Sequence, residues 1–231
     1  MFRSKGIKNH EKYREITMLG YKDDSAVSHA FNELVDNIFM KSNTSHCQIY
    51  QVISASIGEG RTTIAIDLAL ALAKRKKRVL LVDADLRSPS IYKVLDMEDA
   101  PGLVEILEEK LDIKQVSRTV GMDDLEVITA GNVNVNSFGL FSSNNLKNFL
   151  NSTRSLYDFV ILDSPAIDTY TDALILSPLV DGALLVIKTG ETRKDDALSV
   201  KKKVENAKGN LIGVIFNKRI NFIPSFLRKL L

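Results

Sequence analysis

With 231 residues, 45% hydrophobic and 26% charged, the chain has enough apolar material for one compact domain, or one domain with an arm, held without metal or disulfide. A lone Cys47 excludes an internal bridge, and His10, His29 and His46 are too scattered for a zinc site of ordinary spacing. The 31 Lys and Arg nearly balance the 29 Asp and Glu, which argues against a general field for nucleic acid; no apolar run reaches membrane-spanning length, and the opening MFRSKGIKNH has no apolar signal region, so a cytoplasmic protein is expected.

Residues 1–48 carry mixed charge and one helix, Ser25 to Met40, in which Ala26, Ala30, Phe31, Leu34, Val35 and Ile38 recur near helical spacing. The spacing predicts a face that packs on the domain behind it. From Ile49 the chain alternates short apolar runs with amphipathic ones. Strands are expected at Ile49 to Ile53, Val79 to Val82, Leu125 to Ile128, Phe159 to Leu162, Ala183 to Ile187 and Leu211 to Phe216. Helices are expected at Thr62 to Lys76, Asn144 to Asn151 and Lys194 to Ala207. That rhythm is the βαβ signature of an α/β fold, a mostly parallel sheet flanked by helices over 49–218. A tail, 219–231, completes the chain.

Directly after the first strand comes Ser54-Ala55-Ser56-Ile57-Gly58-Glu59-Gly60-Arg61-Thr62-Thr63, and then a run of strong helix formers. Strand, glycine loop and helix are the context of a phosphate cradle. Gly58 and Gly60 let backbone N–H groups converge on phosphate oxygens, the helix N-terminus adds positive potential, and the Thr62 hydroxyl is placed to ligate Mg²⁺. The usual motif has Lys where Arg61 stands; Arg61 keeps the charge but presents it as a planar fork. Two further runs bring acids to the carboxyl ends of buried strands, Arg78-Val-Leu-Leu-Val-Asp83-Ala84-Asp85 and Tyr157-Asp-Phe-Val-Ile-Leu-Asp163. Ligands of open α/β sheets bind at that edge, and carboxylates there hold Mg²⁺ or accept a proton. Bound ATP and Mg²⁺ are the expectation.

Taken in order, GEGRTT, VLLVDADLRSP and YDFVILDSPA resemble the Walker A, Walker A′ and Walker B motifs of bacterial tyrosine kinases. These are the capsular and exopolysaccharide co-polymerase kinases, a branch close to the MinD and ParA ATPases of the P-loop class. The likeness extends from about Ser25 to Asn217. The lysine that marks the MinD and ParA branch is replaced by Ser56, and Glu59 gives the GEG loop of the kinases. The resemblance implies transfer of the ATP γ-phosphate to tyrosine hydroxyls. It implies Arg61 on the β and γ phosphates, Asp83 as the base toward the tyrosine, Thr62, Asp85 and Asp163 around the metal, Asn217 at the adenine, and Arg87 after the second motif. It also implies a membrane-embedded polysaccharide co-polymerase or adaptor as partner, a homo-oligomer, and a place at the inner face of the cell membrane.

The chain departs from that pattern in places. Where the kinases carry Glu, Arg and Arg at three-residue spacing for ring assembly, it has His29, Asn32 and Val35. Where they end in a tyrosine cluster, its last tyrosine is Tyr170, which leaves Tyr13 and Tyr21 as candidate replacement phosphosites. These departures and Arg61 set a second expectation beside the kinase, a nucleotide-switched regulator of the same machinery; a MinD-like or ParA-like ATPase is a third. In the tail, Ile223, Phe226, Leu227, Leu230 and Leu231 follow helical spacing with Arg228 and Lys229 opposite. Contact of 222–231 with a membrane surface, or packing on its own domain, is expected from it.

Overall fold

The computed structural model describes residues 26–41, 46–98, 101–133 and 137–218. Tyr13, Tyr21 and the apolar pattern of the tail lie outside the described residues. Among the described residues seven strands form one sheet: β1 (Gln48–Ser54), β2 (Val79–Asp83), β3 (Arg118–Val120), β4 (Met122–Ile128), β5 (Phe159–Asp163), β6 (Gly182–Lys188) and β7 (Leu211–Asn217). Their order is β3-β4-β2-β5-β1-β6-β7. Six are parallel, and β3 pairs antiparallel to β4 at one edge.

The strands with closed surroundings are the ones that read as unbroken apolar runs. Every residue of β2 (VLLVD) and of β5 (FVILD) is buried, because helices cover both faces. One layer consists of α1 (Ala26–Lys41) and α2 (Arg61–Lys74), whose Phe31, Val35, Ile38, Leu68 and Leu72 meet Val79, Leu81, Phe159 and Ile161 of the sheet. The short α3 (Ile91–Val94) adds Ile91 to that same layer's core, and the opposite layer contains α4 (Leu103–Leu107), α5 (Ile113–Val116), α6 (Ser137–Phe141), α7 (Asn144–Leu156), α8 (Asp172–Leu176) and α9 (Lys194–Asn206). There α4, α5 and α7 pack on Leu80, Val82, Val160 and Leu162, while α8 and α9 pack on Ile53, Ala183 and Leu185.

All six expected strands are present, and α1, α2, α7 and α9 occupy the four expected helical stretches. Three details differ. Ala30 of α1 faces solvent, so the buried stripe is narrower than its apolar count. A three-residue strand, β3, precedes β4; it is too short for alternation to show in sequence, and Gly121 at φ 70° makes the reversal between the two. The run Leu211 to Phe216 reads as a core strand but is the far edge of the sheet, where Val214 and Phe216 are 44% and 66% exposed.

Inside β1 the sequence places a glutamine where an apolar residue is usual. Gln51 is fully buried, and its amide donates to Ser164 Oγ (3.0 Å) and to the Ala173 carbonyl (2.7 Å), while Ser177 Oγ donates to its carbonyl oxygen (2.9 Å). Both amide hydrogens and the carbonyl oxygen have partners, so its burial is tolerated. The result ties α8 and the turn after β5 to the central strand. That turn is one wall of the site.

Candidate functional site

Alternation along a strand decides which acids can meet. Val79, Leu81 and Asp83 point to the α1–α2 layer, as do Phe159, Ile161 and Asp163. Asp83 and Asp163 are direct partners in the register of β2 and β5, and Asp163 pairs in turn with Val52, two residues before β1 ends. The two carboxylates therefore stand side by side under the N-terminus of α2.

Above them the loop from Ala55 to Gly60 turns into α2. Gly58 and Gly60 hold φ of 84° and 91°, values that exclude most side chains. The loop is fastened from outside. The Asn217 amide at the end of β7 donates to the Glu59 carbonyl at 2.8 Å. The Glu59 side chain turns away from the cradle, where its carboxylate accepts from Ser56 N (3.1 Å) and from the Thr192 hydroxyl. Between loop and acids lies an open cleft of about 210 Å³, bordered by Gly58, Thr62, Thr63, Asp85, Ser88 and Tyr170.

Thr62, in the first turn of α2, donates from Oγ1 to Asp163 Oδ2 at 2.6 Å and lies 3.0 Å from Ser90 Oγ. Arg61 is only 8% exposed, and its guanidinium is directed into the acids rather than toward the loop: Nη2 donates to Asp85 Oδ2 at 2.9 Å and Nη1 to Ser54 Oγ at 2.7 Å. Asp85 also caps its own turn, accepting from Arg87 N and Ser88 N (3.2 and 3.0 Å). Asp83 is fully buried and takes three backbone N–H groups, those of Asp85 (3.2 Å), Ser90 and Ile91 (both 3.0 Å). Burial, reinforced by the neighbouring Asp163 charge, still holds the Asp83 carboxyl well above the usual carboxylate range. Burial also raises Asp163, although the Arg61 charge opposes it.

The structure thus brings Gly58, Gly60, Arg61, Thr62, Thr63, Asp83, Asp85 and Asp163 to one end of the sheet. Asn217 reaches the same loop with its amide committed to the backbone, and Glu59 contributes through its main chain. Sequence reasoning did not single out Ser54, Ser90 or Thr192, and a lone hydroxyl in a turn gives no pattern to find. Arg87 pairs with Asp172 (2.9 Å) and lies 5.2 Å over the Tyr170 ring at the cleft wall.

Among the described residues no three His, Cys, Asp or Glu side chains converge on a point, which argues against an all-protein metal cage. Oxygen donors from Thr62, Asp85 and Asp163 fit instead a hard cation that completes its shell with water and phosphate. The buried Asp163 Oδ1, which has no hydrogen-bond partner, is such an open position.

A family model described as "AAA domain" matches residues 47–192. Tyrosine-protein kinase YwqD of Bacillus subtilis (strain 168) is 34% identical over 190 residues, 82% of this chain and 80% of that protein. Tyrosine-protein kinase CpsD of Streptococcus pneumoniae serotype 4 is 30% identical over 189 residues, 81% of this chain and 82% of that one. Among solved structures, the chimerical protein CapA2B2 superposes with a TM-score of 0.83 at 26% identity, covering 90% of this chain and 91% of that chain. The septum site-determining protein MinD of Pyrococcus horikoshii OT3, complexed with Mg-ADP, reaches 0.64 at 22% identity over 79% of this chain and 76% of its own; that likeness is one of fold. A phosphate-type loop over in-register strand-end acids, and relatives matched across four-fifths of both lengths, lead to one conclusion: the chain belongs to the AAA domain family and, within it, to the bacterial tyrosine-protein kinases.

Proposed function

We propose that the chain is an ATP-binding, tyrosine-kinase-type component of capsular or exopolysaccharide synthesis and export, which transfers the γ-phosphate of ATP to tyrosine hydroxyls. The observation that supports this most is the Asp83–Asp163 pair, fixed by strand register beneath the loop, with Thr62 bonded to Asp163. In this reading the backbone N–H groups from Gly58 to Thr63 and the N-terminus of α2 hold the phosphates. Thr62, Asp85 and Asp163 hold Mg²⁺, which when bound offsets negative charge on the phosphate oxygens. Arg61 supplies positive charge to the β and γ phosphates, and Asn217 faces the adenine. Asp83, whose burial keeps its proton affinity high, accepts the hydroxyl proton as the tyrosine oxygen bonds to phosphorus and the bond to ADP breaks.

The names of the relatives support the kinase class, and the notion of a membrane-embedded co-polymerase or adaptor as partner follows from it. A position at the cytoplasmic face of the membrane and assembly into a homo-oligomer belong to the same proposal. No described helix is long and apolar enough to cross a membrane. The domain limits, 1–48 as arm and helix, 49–218 as nucleotide-binding unit and 219–231 as amphipathic tail, are proposed with it.

A second reading has its own support. Arg61 rests on the acids, and Asp83 already accepts three backbone N–H groups, an arrangement suited to a protein that changes shape with nucleotide and transfers nothing. Labelled ATP, Mg²⁺ and the cytosolic segment of a candidate membrane partner separate the two. The kinase reading expects label on tyrosine, lost in Asp83→Asn when the variant melts like the parent. Absence of both label and released phosphate from the two samples eliminates it.

A further inference from the structure

Asp85 and Asp163 are 5% and 0% exposed, and negative charge buried to that extent needs a counter-charge. Arg61 is the cation set among them. Its fork engages Asp85 through Nη2 and Ser54 through Nη1, and its Nε faces Asp163 Oδ1 at 3.5 Å. A lysine at this position would bring one point charge on a flexible stem in place of two directed hydrogen bonds and a charge set against Asp163. The fit to Asp163 is nevertheless incomplete. Both Arg61 Nε and Asp163 Oδ1 are buried without a hydrogen-bond partner, so this oxygen keeps lone pairs open while a guanidinium lies against it.

We propose that Arg61 is a resident counter-cation that competes with a divalent metal for Asp85 and Asp163. A guanidinium and a hard cation cannot both take the same carboxylate oxygens, since each repels the other and each needs those lone pairs. In nucleotide-free protein Arg61 neutralises the pair and keeps metal off. Phosphates in the loop offer the guanidinium a second set of oxygens, so nucleotide draws it away and opens the carboxylates. Metal affinity is thereby made conditional on nucleotide, through the side chain that departs from the usual lysine. This holds whether or not the chain transfers phosphate, so it stands apart from the kinase reading.

Mn²⁺ binding to the nucleotide-free full chain, followed by electron paramagnetic resonance, tests it. Relative to the parent, Arg61→Met should bind one Mn²⁺ roughly tenfold tighter or more, because a unit positive charge beside the site is gone. Arg61→Lys should fall between them. In the double variant Arg61→Met with Asp85→Asn the gain should vanish, which places it at this cluster. Arg61→Met should also melt at a lower temperature than the parent and recover more of that loss when Mn²⁺ is added. Equal Mn²⁺ affinity in parent and Arg61→Met, or a gain that survives Asp85→Asn, overturns the proposal. Should Arg61→Met fail to fold, Arg61→Lys decides: tighter Mn²⁺ than the parent supports the proposal, and equal affinity overturns it.

Discussion

Two turns beyond the loop, on α2, burial pushes the Asp67 carboxyl up from 3.8 to about 6. Between those values the folded protein binds a proton that the unfolded chain has released, so this group's contribution to stability is greatest below pH 3.8, declines as pH rises to about 6, and is level above. Asp67→Asn removes the dependence. Chemical denaturation should show the variant gaining about 1–3 kcal/mol on the parent between pH 4 and pH 7.5; an unchanged difference would mean that water reaches the carboxylate. Which acids gather at the site was legible at this scale, because period-two alternation aims Asp83 and Asp163 the same way. Which way Arg61 turns was not. Its type and place are in the sequence, but its direction is a competition between phosphate and carboxylate oxygens that only the packed site decides. The same holds for Glu59, whose place in the loop is in the sequence but whose side chain ties Ser56 to Thr192.

Among the elements, the phosphate loop depends on a strand distant in sequence. A Cβ on Gly60 would lie 2.1 Å from Asn217 Nδ2, at a φ of 91° that already disfavours it. Gly60→Ala should cost on the order of 1–3 kcal/mol and weaken nucleotide binding. Asn217→Ala should relieve the collision but not the backbone strain, so a double-mutant cycle by denaturation is expected to return only part of the loss. Full recovery would show that φ at Gly60 costs nothing. The sheet itself was largely legible, since fully covered parallel strands write continuous apolar runs. Its two edges were not. β3 is below the length at which any pattern forms, and β7 has the composition of a covered strand although no described strand pairs with its outer side. Strand order, which decides that difference, is set by long-range pairing and leaves no local mark.

At the scale of the whole molecule, α1 shows why a family position is not always a family function. His29 and Asn32 are exposed, but Val35, the position the resemblance assigns to the second arginine of an assembly pattern, is fully buried against α2. Val35→Arg is therefore expected to destabilise the fold by roughly 3 kcal/mol or more without creating a ring, because it buries an unpaired charge. Denaturation and sedimentation check both parts; a stable variant of larger assembly state would contradict this. The register of the two central strands has a broader consequence. Neighbouring strands stand about 4.8 Å apart whatever their connections do, so the spacing of the two carboxylates is guaranteed by backbone ladders rather than by loops. Insertions and exchanged surface patches leave it untouched. Deleting one residue inside either five-residue strand would swing its acid into the opposite layer. A lineage built on this plan is free to alter nearly everything it presents to partners, and is held most tightly in the ten residues that no partner touches.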